Sequence, residues 1–168
     1  MRGNHMRTNR VALFGMLVAL AFIFSYLEHL IPLPLPTGVK LGAANIVIVC
    51  ALYFLGWKEA LSVSLIRILL SGFAFGISTV PYSLAGGALS LLVMFFLKRS
   101  KSFGVIGVSV AGSVSHNVGQ TIVAMALLGR KTAFYFPLLL LSGIIAGVLI
   151  GIISGLVIEK LEKHIRMK

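Results

Sequence analysis

Apolar residues run along this chain in six stretches, separated by charged residues or by Pro and Gly: Val11–Ile31, Leu41–Gly56, Ala60–Ile77, Tyr82–Leu97, Phe103–Gly129 and Phe134–Ile158. A helix needs about 20 apolar residues to cross the hydrocarbon core of a bilayer, with a range of roughly 17–25. The stretches therefore predict an all-α integral membrane protein with six transmembrane helices in one domain over residues 11–158. The second and fourth are short, which predicts little tilt or partial insertion. The fifth is long and carries Ser113-Val-Ser-His-Asn117 near its middle, so a bend or break is expected there.

Composition narrows the class further. Of 168 residues, 58% are hydrophobic and 11% charged, whereas a soluble domain carries about 25% charged residues. A water-facing surface cannot be built from so few charges, so a soluble globular protein is excluded. At about 20 residues per crossing the chain has no room for a separate soluble domain.

The net charge of +11 changes the picture only through its placement. Lys and Arg sit between apolar stretches or at the ends, not on one soluble face, so a nucleic-acid footprint is not indicated. With the N-terminus inside, the cytoplasmic side receives Arg2, Arg7, Arg10, Lys58, Lys98, Arg99, Lys101, Lys160, Lys163, Arg166 and Lys168, and the outside only Lys40, Arg130 and Lys131. This bias predicts both termini in the cytoplasm, which an even number of spans satisfies. Met1-Arg-Gly-Asn-His-Met6 resembles an expression leader, so residues 1–10 are read as leader plus cytoplasmic N-terminus and 159–168 as a basic cytoplasmic tail. Cys50 lies in an apolar stretch and reads as a small packing residue.

Ionisable and polar side chains at membrane depth are costly and usually face a cavity or a partner. Arg67 lies midway along the third stretch with no acidic residue within a helical turn. His116 and Gln120 share a helix face in the fifth stretch, with Asn117 adjacent. Asn45 lies in the second stretch, Glu28 near the outer end of the first, and Lys40 near the outer start of the second. These groups either bond to one another and fix helix packing, or line a cavity. A desolvated guanidinium with few carboxylates nearby favours an anionic oxygen, which points to a small anionic ligand. Over the outer end, the alternating prolines of Pro32–Pro36 hold an extended segment, read as a stiff linker or a lid.

Small residues form a second pattern. Gly143, Gly147, Gly151 and Gly155 recur every four positions, a spacing that lets helices approach closely. Gly15 and Ala19 make a shorter version on the first helix, a candidate for an external partner helix. The chain has no Asp, and its acids are Glu28, Glu59, Glu159 and Glu162. Diphosphate chemistry with Mg²⁺ relies on clustered carboxylates, and an ATPase on a Gly-rich phosphate loop. Neither pattern occurs, nor does a metal-ligand set or a nucleophile–His–acid arrangement, so no enzyme activity, metal or cofactor is expected.

Four motifs occur in order: Pro34-Leu-Pro-Thr-Gly-Val-Lys-Leu-Gly-Ala-Ala-Asn45, the Lys58-Glu-Ala run leading to Arg67, Ser83-Leu-Ala-Gly-Gly-Ala-Leu-Ser90, and Ser115-His-Asn-Val-Gly-Gln120. Together they resemble the bacterial "Gx transporter" family, labelled heptaprenyl diphosphate synthase component I, from about Arg10 to the end of the last helix. That family is similar to the substrate-binding S components of energy-coupling factor (ECF) transporters. The resemblance implies a six-helix membrane protein that captures a vitamin-like ligand and topples to carry it inward. It implies pairing with a transmembrane coupling subunit and two cytoplasmic ATPases in the bacterial inner membrane. An Ala-x-x-x-Ala pattern meets the coupling subunit in that group; here the matching place reads Gly15-Met-Leu-Val-Ala19, with Ala12 one turn earlier. The expected function is a non-catalytic importer subunit for a small anionic ligand, whether vitamin-like, flavin or an isoprenoid or quinone precursor. The alternative is an accessory membrane subunit of a prenyl diphosphate synthase.

Overall fold

The computed structural model describes residues 2–31 and 42–166, with side chains over 10–31, 42–160 and at Lys163. Within them the chain folds into six α-helices and no strand: α1 (Arg2–Leu30), α2 (Asn45–Phe54), α3 (Trp57–Phe75), α4 (Val80–Ser100), α5 (Val105–Leu128) and α6 (Phe136–Arg166). Short 3₁₀ turns at Ile77–Thr79 and Arg130–Tyr135 lead into α4 and α6. The Pro32–Pro36 segment and Lys40 lie outside the described residues.

The helix boundaries follow backbone chemistry. Gly76 and Gly129 end α3 and α5 with φ of 107° and 92°, and their N–H groups bond back to the carbonyls of Gly72 and Met125. Such positive φ strains any residue with a Cβ. Pro81 sits in the first turn of α4, where its missing N–H costs nothing.

α2 is the centre of the bundle. After Asn45 its residues are almost all apolar and none is charged, and Val47 through Leu52 are all buried. A helix hydrophobic on every side is a buried helix, and α2 touches α1, α3, α4, α5 and α6. Its ten residues rise about 15 Å at 1.5 Å each, roughly half the hydrocarbon thickness of about 30 Å. The second stretch, read as the crossing Leu41–Gly56, is therefore a core helix too short to span by itself.

Three helical segments are long and apolar enough to cross a membrane: Arg10–Leu30, Ile77–Ser100 and Arg130–Lys160, with mean hydropathies of 2.1, 1.8 and 2.6. The fourth stretch thus gains length from both flanks. α3 carries Lys58, Glu59 and Arg67, and α5 carries Ser, His, Asn and Gln, which lower their apolar character. The expected break in α5 is absent: the helix runs unbroken through Ser113–Asn117. Its polar groups find partners without opening the backbone; Ser115 donates to the Ala111 carbonyl and Thr121 to that of Asn117.

The outer surface is covered with large apolar side chains, among them Leu20, Phe73, Leu141, Leu149 and Leu156. Serines, Asn45, Arg67, His116, Asn117 and Gln120 are buried instead. That distribution suits a lipid solvent and makes this a membrane protein.

Glycines bring α4, α5 and α6 together. A Cβ on Gly119 would lie 2.6 Å from the Ala85 carbonyl oxygen. One on Gly147 or Gly151 would meet the Val110 or Ile106 Cα at 2.6 Å, and one on Gly143 the Asn117 amide at 2.8 Å. Gly155 and Gly15 face open space, so the four-glycine stripe is a three-glycine contact. Gly119→Val should lower stability in detergent by about 1–3 kcal/mol, because backbone cannot yield as a side chain can. Gly155→Ala should be neutral or stabilising by up to about 1 kcal/mol. Thermal unfolding of the two variants beside the parent checks both.

Candidate functional site

Arg67 is 3% exposed, so its guanidinium does not reach water or headgroups. α3 puts Ser64, Arg67, Ile68 and Ser71 on one buried face at the spacings that share a helix side. Arg67 Nη1 donates to Ser25 Oγ of α1 at 3.2 Å, and Ser25 Oγ donates to the Ala21 carbonyl at 3.0 Å. Arg67 Nε has no hydrogen-bond partner among the described residues, nor does Ser71 Oγ one turn on.

Glu28 lies one turn beyond Ser25 on α1 and is buried. Its carboxylate accepts the Gly42 N–H at 2.6 Å and the Ala43 N–H at 3.2 Å. These are backbone donors of the turn that leads into α2, whose first residue is Asn45, and the nearby helix N-terminus favours negative charge there. The same carboxylate acts electrostatically on Arg67. Glu28 thus anchors the turn before α2 and serves as the nearby counter-charge for α3.

Asn45, the first residue of α2, leads to the second half of the site. Gly42 has φ of 87°, and a Cβ there would approach Asn45 Nδ2 at 3.1 Å and His116 Cδ2 at 3.4 Å. The Asn45 Nδ2 donor has no partner among the described residues. On α5, Gln120 Nε2 lies 2.9 Å from His116 Nε2, within hydrogen-bond distance. Both side chains lean on Gly86 of α4, where a Cβ would meet His116 Cε1 at 2.9 Å and Gln120 Cγ at 3.0 Å. The next residue, Gly87, faces Ser64 Oγ at 3.2 Å. The glycine pair therefore lets α4 lie between the Arg67 face of α3 and the His116 face of α5.

The candidate residues are thus partly gathered. Glu28, Arg67, Asn45, His116 and Gln120 are all buried around the start of α2. Asn117 turns away: its amide donates to the Leu139 carbonyl of α6 at 2.6 Å, one helix over from the others. Ala12, Gly15 and Ala19 lie exposed on α1. Ser25, Ser71, Gly42, Gly86 and Gly87 belong to the site and carry no chemistry that singles them out in sequence. Ser25 had one available signal, its position three residues before Glu28 on the same helix face. What the arrangement offers is a set of hydrogen-bond donors — Arg67 Nε, Asn45 Nδ2 and the Ser71 hydroxyl — suited to acceptor oxygens.

Fold and site define the class: a helical membrane protein whose interior holds a buried guanidinium, a short central helix and an imidazole–amide pair. The chain belongs to the family described as heptaprenyl diphosphate synthase component I, which it matches over residues 17–157. No curated protein and no solved structure matches it.

Removing the Glu28 carboxylate leaves the buried Gly42 N–H and the half-buried Ala43 N–H without their acceptor, which costs about 1–3 kcal/mol. Glu28→Ala should lower the thermal midpoint and strip hydrogen-exchange protection from the amides of Gly42 and Ala43. Glu28→Gln, which keeps an acceptor oxygen, should retain part of both. Exchange measured by mass spectrometry in detergent resolves the difference.

Proposed function

We propose that this chain is the substrate-binding membrane subunit of an ECF-type importer for a small anionic ligand. It sits in the bacterial inner membrane as a six-helix bundle with both termini in the cytoplasm. The observation that carries this reading is Arg67: a guanidinium held in the bundle, bonded to a serine through one nitrogen, with Nε donating to nothing among the described residues. A buried donor without an acceptor costs about 1–3 kcal/mol, and a ligand oxygen recovers that cost. Asn45 Nδ2 and Ser71 Oγ are in the same condition. The ligand chemistry is an acceptor-rich anion, such as a carboxylate or phosphate on a vitamin-like, flavin, isoprenoid or quinone-precursor body. Lys40 would add positive charge at the outer mouth. Ala12, Gly15 and Ala19, exposed on α1, offer a smooth face to a coupling subunit, which would link the chain to two cytoplasmic ATPases.

The chain itself performs no catalysis in this reading. Glu28 holds the turn before α2, Glu59 is paired with Arg10 at 2.7 Å, and Glu159 with Lys163 at 2.7 Å. These three carboxylates have structural duties, and there is no Asp.

The family description favours a second reading, a membrane accessory subunit of a prenyl diphosphate synthase that holds lipid substrate without transporting it. Synthase activity that co-purifies with this chain and depends on it would select that reading.

Native mass spectrometry of gently extracted protein should find a retained anionic small molecule. Truncating one partner of a buried charged contact costs about 2–5 kcal/mol, so Arg67→Gln should weaken retention roughly 30-fold or more. Arg67→Lys should recover little, because an ammonium lacks the planar fork. Equal retention by wild type and a folded Arg67→Gln protein, checked by thermal unfolding, would sink the assignment.

A further inference from the structure

At the opposite end of α2 from Glu28, a second feature has no part in the Arg67 site. Between α3 and α4 runs an apolar groove of about 380 Å³, walled by Trp57, Leu61, Leu92, Phe95 and Phe96. Its floor is Ala88, a single methyl among large side chains. The aromatic walls are ordered against each other: the Trp57 and Phe95 rings are tilted with centroids 6.0 Å apart, and Phe95 and Phe96 meet edge-on at 5.5 Å. The volume lies within the roughly 300–1,000 Å³ of small-ligand pockets.

The groove continues beyond its aromatic walls. Trp57 and Phe95 also line an adjoining cavity of about 280 Å³ whose other walls include Lys98 and Arg99. Lys98 Nζ donates to the Leu52 carbonyl at 2.6 Å and lies 4.5 Å above the Tyr53 ring, leaving two of its N–H donors for another acceptor. Lys58 Nζ lies 5.9 Å from the Trp57 ring centre. Among the described residues these cations have no carboxylate partner: the nearby Glu59 is held by Arg10. An aromatic trough thus opens onto the uncompensated charges of Lys98 and Arg99, the latter a guanidinium with phosphate geometry, while Lys58 lies near its Trp57 wall.

We infer that this α3–α4 groove is a binding site for a membrane lipid with a phosphate headgroup. The chain lies in the Trp57–Phe96 trough and the phosphate meets Lys58, Lys98 and Arg99. A zwitterionic lipid gains the trough but not the charge. The site is separate from the Arg67 site and stands whether or not the importer reading does.

Trp57 is the only tryptophan, so its fluorescence reports occupancy directly. In nanodiscs of unlabelled phosphatidylcholine, phosphatidic acid with brominated chains should quench Trp57 at a mole fraction at least tenfold lower than brominated phosphatidylcholine. Each cation near an anionic lipid surface contributes about 1 kcal/mol, or roughly fivefold, so Lys58→Gln with Arg99→Gln should remove most of that preference. Lys98 is left in place because it also holds α2. Ala88→Phe, a change at an exposed position that fills the trough, should abolish preferential quenching while leaving the native mass spectrum of the Arg67 ligand unchanged. Equal quenching by the two lipids would overturn the site, as would a preference that survives the double variant. Full preferential quenching in Ala88→Phe would overturn the trough and leave only diffuse surface attraction.

Discussion

A carboxylate placed among hydrocarbon costs several kcal/mol unless its charge and its lone pairs are both answered. Glu28 answers them with the N–H groups of Gly42 and Ala43 in the turn that leads into α2, and the rest of the interior is arranged around that contact. Because the acceptor is on α1 and the donors immediately precede α2, the bond ties the approach to α2 onto α1. Asn45 then stands at a defined position, and Gly42 comes close enough to His116 that a side chain there would crowd it. Arg67 of α3 feels the same carboxylate. One buried anion therefore ties together the α1–α3 half of the site and the α2–α5 half. It also changes the charge arithmetic around Arg67. With the Glu28 charge acting on it the guanidinium is not a bare cation, so under the proposed ligand-binding role recognition would rest on directed donors, Arg67 Nε and Asn45 Nδ2, as much as on net charge.

Glycine sets the distances at which those groups meet. Lipid offers no hydrophobic drive between helices, so association relies on close packing and interhelical polar bonds. Both occur on α5. Gly119 lies against the backbone of α4, Gly143, Gly147 and Gly151 press α6 onto α5, and Asn117 donates across to the Leu139 carbonyl. Gly86 and Gly87 let α4 sit between α3 and α5 without displacing His116 or Ser64. Larger residues at these positions would push Arg67 and His116 apart before they touched any ligand.

Six helices in order were legible because apolar stretches were cut by charge, Pro and Gly. The brevity of α2 was not. Its sixteen-residue apolar stretch, Leu41–Gly56, looks like a short span, and only the Glu28 bond to the Gly42 and Ala43 N–H groups shows that a turn precedes the helix. Backbone acceptors and donors leave no trace in a sequence. The clue that existed was the absence of any polar face on Ile46–Phe54, which marks a helix surrounded by protein. The polar residues of α5 were legible as a group but not as a geometry. His116 and Gln120 are four apart and share a face, whereas Asn117 is turned about 100° from His116 by the helical period, enough to face α6 instead. The expected break at Ser113–Asn117 fails for a related reason: polar side chains that bond to neighbouring helices or to their own preceding turn do not need the backbone to open.

α2 also explains why charged side chains gather at opposite ends of the bundle. A helix dipole places partial positive charge at its start and partial negative charge at its end. Here the turn before its start takes the Glu28 carboxylate from α1, and the end gives its Leu52 carbonyl to Lys98 of α4. Both neighbours are thereby drawn inward, and each brings its surroundings along: Glu28 arrives with Ser25 and Arg67, and Lys98 with Phe95 and Arg99. A helix long enough to span would put its ends in the headgroups, where water answers the same charges. Because α2 is about 15 Å long, its ends fall inside the protein and side chains must answer them. The charged residues clustered at each end are the consequence of that short length.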